Sequence, residues 1–114
     1  YFDISRNVDI IACMTVKIND ILKALANDKR LLILQWLKNP GDHFTSDKCD
    51  VNTQGVCVGL IEKKIGLSQS TVSQYLLQLQ RADLITMERV GQWTFCKLNQ
   101  NTVSEFIQEL KISL

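Results

Sequence analysis

The sequence predicts a mainly α domain with a small β-hairpin, about five helices and one two-stranded ribbon. Three observations predict it. Apolar residues recur at helical spacing in several separate stretches. Ser68 stands as a helix cap immediately after Gly66-Leu67. Two runs of strand-forming residues flank Gly91-Gln92, a hairpin signal.

In chain order, Ile18, Ile21, Leu22 and Leu25 follow the i, i+3, i+4, i+7 pattern of a helix with one apolar face. Asn27 or Asp28 can cap the next helix, because a short side-chain oxygen accepts from free backbone amides. That helix carries Leu31, Leu32, Ile33, Leu34, Trp36 and Leu37, so it is apolar on most sides and expected at the centre of the core. Asn39-Pro40-Gly41 ends it. Residues 42–55 have no periodicity and read as a long polar loop.

Val58, Leu60, Ile61 and Ile65 suggest a short helix, and Gly66 suits its stop, where a positive φ is needed. Ser68 then caps a helix from about Gln69 to Ala82. On it Val72, Leu76, Leu79 and Asp83 share one side, with Tyr75 beside them. Residues 85–90 and 93–98 form the hairpin strands. Thr102 with Glu105 makes a capping box, and Val103, Phe106, Ile107 and Leu110 mark a last helix.

A chain of 114 residues, 46% hydrophobic and 22% charged, fits one globular domain and excludes disordered or fibrous classes. Residues 14–114 are read as that domain. Residues 1–13 are read either as an N-terminal extension or, if Met14 is the natural start, as an expression remnant. Asp3, Arg6 and Asp9 interrupt any secretory signal there, and no run of about 18 apolar residues could span a membrane. A cytoplasmic location is expected, with the four Cys as reduced thiols. The net charge is only +1. Yet it divides into basic stretches, residues 17–38 and 60–98, offset by acidic ones elsewhere.

Two helices joined by a tight turn and followed by a hairpin make a winged helix-turn-helix. An α-helix fits the DNA major groove, and its N-terminal residues reach base edges. With Val72, Leu76 and Leu79 inward, Ser70, Thr71, Ser73, Gln74 and Gln78 lie outward or flanking, a polar face apart from Leu77. Gln pairs with adenine, and hydroxyls serve bases or phosphates. Ser68, Gln69, Ser70 and Thr71 sit at the helix N-terminus, where free amides and the dipole favour phosphate. Arg81, Arg89 and Lys97 can neutralise backbone phosphates, and Gln92 at the hairpin tip can track the backbone.

Two rival readings exist. A Cys57 or Cys49 nucleophile with His43 as base would make an enzyme, but no phosphate loop or nucleophile elbow accompanies them. A winged helix used only for protein contacts would show an apolar recognition face, which this one is not.

The residues also resemble a family. The run Leu22 to Leu34, LKALANDKRLLIL, resembles the opening of ArsR-type (ArsR/SmtB) winged helix-turn-helix regulators. The run Leu67 to Leu79, LSQSTVSQYLLQL, resembles their recognition segment, and Val90 to Phe95 their wing. The resemblance covers roughly residues 18–112. It implies a homodimer held by the first and last helices, through Ile18, Ile21, Leu22, Val103, Phe106, Ile107 and Leu110. It also implies repression at a palindromic duplex operator and release by an effector. Tyr75 stands where the family usually has His, and Ala82-Asp83 where Ala-Gly or Asp-Gly is common.

Many relatives hold thiophilic metals through Cys-x-Cys before the recognition helix. Here the stretch is Val56-Cys57-Val58-Gly59, with one thiol. The zinc site that others carry on the last helix is not matched, because Glu105 and Glu109 lack a His. A loop site from Cys49, Cys57 and His43, with Asp47 or Asp50, and a Cys49–Cys57 redox pair are the remaining sensors. Against both stands the reading of Cys57 and Cys96 as small core residues. No cofactor is assigned beyond such a thiol-reactive or metal effector.

Overall fold

The structure, a computed structural model, describes residues 18–46 and 50–114. The extension 1–13, Asp47 and Cys49 lie outside the described residues. Five helices and a three-stranded antiparallel sheet make up the described chain: α1 (Ile18–Leu25), α2 (Asp28–Lys38), β1 (Val56–Cys57), α3 (Val58–Ile65), α4 (Gln69–Arg81), β2 (Ile85–Val90), β3 (Trp93–Leu98) and α5 (Gln100–Ser113).

Asn27 rather than Asp28 caps α2. Its Oδ1 accepts from the amides of Lys29 and Arg30 at 2.9 and 3.1 Å. Ile33, Leu34, Trp36 and Leu37 of α2 are buried, as its apolar composition requires. They join Ile21, Ile61, Val72, Leu76, Leu79 and Ile85 in one core that unites α1 to α4 with the sheet.

Residues 42–46 and 50–55 are less irregular than their sequence suggests. A 3-10 turn over Pro40–Asp42 opens the segment. Phe44 is buried edge-on against Trp36, with ring centroids 5.9 Å apart. Asp50 folds the far end, its carboxylate accepting from the Asn52 amide at 2.9 Å. Asn52 in turn accepts from the Gly41 amide at 3.1 Å, tying the two ends together. Val51 is buried beneath. The segment then pairs as β1, Val56 opposite Cys96 and Cys57 opposite Phe95.

The expected two-stranded wing is therefore part of a sheet ordered β1-β3-β2. Gly55 permits the join. It has φ +102, and a Cβ there would lie 2.7 Å from the Cys96 carbonyl oxygen.

Two helix ends differ from expectation. Asn99, not Thr102, caps α5, accepting from the Thr102 amide at 3.4 Å, and Thr102 is buried inside the first turn. Helix α4 ends at Arg81, so Asp83 does not continue its apolar side. Asp83 instead has φ 65. The Asp83 amide donates to the Gln80 carbonyl at 2.9 Å, and the Leu84 amide to the Leu79 carbonyl at 3.0 Å. Those paired bonds are a Schellman ending, whose left-handed residue is most often Gly.

Candidate nucleic-acid interface

Helix α3 stops at Gly66, which has φ 72, and the chain turns at once into α4. The Ser68 hydroxyl accepts from the Thr71 amide at 3.3 Å and lies 2.8 Å from the Thr71 hydroxyl. It is also 3.3 Å from the Ser70 hydroxyl. Ser68 and Thr71 are thus engaged in holding the helix start. Gln69, Ser70, Ser73 and Gln74 are exposed beside them, Ser70 and Gln74 facing away from the buried Val72, Leu76 and Leu79, and Gln69 and Ser73 on the flank. Gln78 is half-buried, and Leu77 is 40% exposed on the same outer surface.

The wing tip stands next to this face. Val90 pairs with Trp93 across Gly91-Gln92, and Gly91 has φ 63. The Arg89 Nε donates to the Gly91 carbonyl at 3.2 Å, which holds the guanidinium at the tip. Between wing and helix lies an open cleft of about 420 Å³. Gln69 and Ser73 of α4, Gln92, Trp93 and Thr94 of the wing, and Cys57 and Glu62 line it. The structure therefore brings the helix start and the wing tip to one surface.

Two expected phosphate contacts lie apart from that surface. Arg81 is exposed at the other end of α4, about 18 Å along the axis from Gln69 at 1.5 Å per residue. Lys97 lies toward the opposite end of β3. It lines a separate cavity with Pro40, Val51 and Gly55.

Of the sensor residues, His43, Asp50 and Cys57 are among the described ones. His43 is exposed after the 3-10 turn, while Cys57 is partly buried at the start of α3. No group of three or more His, Cys, Asp or Glu side chains is placed to hold a metal among the described residues. Cys96 is fully buried in the sheet, and burial, with a smaller contribution from Cys57, pushes its thiol up to about 12.

Of the residues expected at an interface between copies, Leu22 and Ile107 are exposed, at 46% and 48%. Ile18, Val103 and Leu110 are partly buried. Ile21 and Phe106 are corrected: both side chains are buried in the core of the single chain, so they back such a surface rather than form it. Glu109 of α5 is fully buried with neither carboxylate oxygen hydrogen-bonded. Burial first, and Glu105 second, raise its pKa above the ordinary carboxylate value.

Sequence reasoning missed Arg30. Its Nε donates to the Ala24 carbonyl at 2.7 Å and its Nη2 to the Lys23 carbonyl at 3.1 Å. The same guanidinium lies 5.4 Å from the centroid of the Tyr75 ring. Lys64 was also missed, packed over the Trp36 and Phe44 rings at 5.2 and 5.8 Å. Neither contact joins residues that are close in sequence, so periodicity could not report it.

No family model matches the chain. The HTH-type transcriptional regulator YbzH of Bacillus subtilis is 45% identical over 96 residues, covering 83% of this chain and 96% of that protein. The arsenical resistance operon repressor ArsR2 of Halobacterium salinarum, a putative assignment, is 34% identical over 82 residues, covering 72% of this chain and 59% of that one. The chain belongs to the ArsR/SmtB family of transcriptional regulators. A solved member of the fold is the homodimeric winged helix-turn-helix DNA-binding domain Mb0332 of Mycobacterium bovis. It superposes with a TM-score of 0.62 at 20% identity, over 97% of this chain and 87% of that one. Membership of a family of regulators sets the enzyme reading aside. No helix among the described residues is long and apolar enough to cross a membrane.

Proposed function

We propose that the protein is a homodimeric, sequence-specific DNA-binding repressor of the cytoplasm. Each subunit presents the start of α4 to a major groove, and the wing tip follows the adjacent backbone. The observation that supports this reading is the cleft shared by Gln69, Ser73 and Gln92, with Gln74 exposed on the outer side of the same helix. These side chains are polar and exposed, as groove recognition needs and a protein-only docking face does not. Two-fold symmetry then gives a palindromic operator with half-sites about one helical turn apart.

Gln69, Ser70, Ser73, Gln74 and Gln78 are assigned to bases and neighbouring phosphates. Arg89 and Gln92 are assigned to the backbone at the wing. Ser68 and Thr71 act by organising the helix start, and Arg81 and Lys97 add charge at a distance. Leu22 and Ile107, with the partly buried Ile18, Val103 and Leu110, are assigned to contact between copies. Residues 14–114 form the regulator proper. Release is assigned to a thiol-reactive effector at Cys57, with Cys49 as its partner. A metal held by Cys49, Cys57 and His43 is the weaker alternative, because the spacing of Cys49 and Cys57 is not a standard zinc pattern.

The test is selection of duplexes from random DNA, followed by affinity measurement across salt under reducing and oxidising conditions. A steep fall in affinity with salt and an enriched palindrome support the reading. No enrichment over random DNA overturns it. Unchanged affinity on oxidation overturns the thiol switch alone.

A further inference from the structure

Arg30 is bonded to one helix, carried by a second and stacked on a third. It sits in the first turn of α2, half-buried. Its two hydrogen bonds end on Ala24 and Lys23, carbonyls of the last turn of α1. Carbonyls of a last turn have no partner within their own helix, although that of Lys23 also accepts from the following Ala26 amide at 3.3 Å, and a cation there meets the negative end of the helix dipole. The remaining face of the guanidinium lies against Tyr75 of α4, 5.4 Å from the ring centroid.

Tyr75 follows Gln74 directly, about 100° further round the recognition helix. The inner face of α4, made by Val72, Leu76 and Leu79, is aliphatic, and contacts of that kind are non-directional. The Arg30–Tyr75 contact is directional, because a planar cation prefers the ring face. It lies on the flank of α4 between the buried face and the exposed Gln74, across the helix from Ser73.

We infer that Arg30 is a positioning residue for DNA recognition: with Tyr75 it sets the rotation of α4 relative to the end of α1. Helix α1 carries the exposed Leu22 assigned to contact between copies. The orientation of Gln74 in one subunit is thereby tied to the helix through which the two subunits meet. This inference rests on the DNA-binding reading above.

The experiment measures affinity of the full chain for a duplex selected by the wild type and for a random duplex of equal length. The variants are Arg30→Lys, Tyr75→Leu, the double variant and Tyr75→Phe. Thermal unfolding is recorded for each. Arg30→Lys keeps the charge but cannot bond both carbonyls while facing the ring. Expected is a loss of about fivefold on the selected duplex for each single variant, the scale of one such contact. The double variant loses no more than either single, random-duplex affinity is unchanged, and Tyr75→Phe, which keeps the ring, binds as the wild type does.

Equal losses on both duplexes, losses that follow the unfolding temperature across the set, or additive losses in the double variant overturn the inference. So does Tyr75→Phe behaving as Tyr75→Leu. A wild type that selects no duplex overturns the DNA-binding reading itself, and this inference with it. A wild type that selects a duplex its Arg30 and Tyr75 variants bind equally well overturns only the positioning role.

Discussion

The Leu84 amide reaches back to the Leu79 carbonyl at 3.0 Å, across an Asp83 held at φ 65. Both leucines are buried, so the bond closes the recognition helix and aims the chain into β2 in one step. The position where family members commonly carry Gly is the position that needs a left-handed residue. Asp tolerates that conformation better than most side chains, but not as well as Gly.

Asp83→Gly should therefore raise stability by about 0.5 kcal/mol, strain relief outweighing the greater freedom of Gly in the unfolded chain. Asp83→Val should lower it by about 1–2 kcal/mol, because a β-branched residue resists positive φ. Urea midpoints at constant slope give the comparison. A more stable Asp83→Val would contradict the Schellman ending.

Gln74→Ala should cost about 1–3 kcal/mol of discrimination on a selected duplex and leave random-duplex affinity nearly unchanged. Arg89→Ala should weaken both and reduce the slope of log affinity against log salt by about 1. Fluorescence anisotropy across a salt series separates the two. If the roles come out reversed, the wing rather than the helix reads sequence.

Burial holds the Cys96 thiol at about 12, so at pH 8 its thiolate fraction is about a thousandfold below that of a thiol at its ordinary value. Iodoacetamide should modify the partly accessible Cys57 in the folded protein and leave Cys96 intact until denaturant is added. Mass spectrometry of the labelled peptides reads this directly. Early labelling of Cys96 would show that the sheet opens in the native state.

Glu109 has a folded pKa above its unfolded one, from burial first and Glu105 second. Its contribution to stability is therefore fully present below the unfolded carboxylate value and is lost as pH rises through the folded value. Glu109→Gln should be more stable than the wild type at neutral pH, with the gap narrowing as pH falls. Denaturant midpoints from pH 4 to 8 test this, and a gap independent of pH would show that folding does not shift the Glu109 pKa.

What was legible in the sequence is what periodicity and caps encode. The apolar spacing of Ile18 to Leu25 and the Ser68 cap report local geometry, and both elements form as read. Strand β1 was not legible, because two residues, Val56 and Cys57, are too short to show alternation and owe their pairing to β3. Asp83 was misplaced because helical spacing carries on in arithmetic past the residue where the helix stops. For the candidate interface, Gln69, Ser73 and Gln74 follow from helix phase, whereas Lys97 shows that charge alone does not report distance from a surface. Arg30 and Tyr75 meet only because α1 ends where it does, a tertiary fact with no local signature.

The strand order β1-β3-β2 leaves the outer side of β2 without a neighbour among the described residues. A hairpin that projects toward DNA in one state projects into solvent in the other, and an open strand edge invites pairing with another chain. Thr86, Glu88, Arg89 and Val90 are exposed along that strand, with opposite charges on its two faces near the tip. An incoming strand would have to accommodate both charges against its own side chains. The wing thereby carries a guard against aggregation in the same residue, Arg89, that is assigned to the phosphate backbone, so Arg89→Ala should also make the DNA-free protein less soluble.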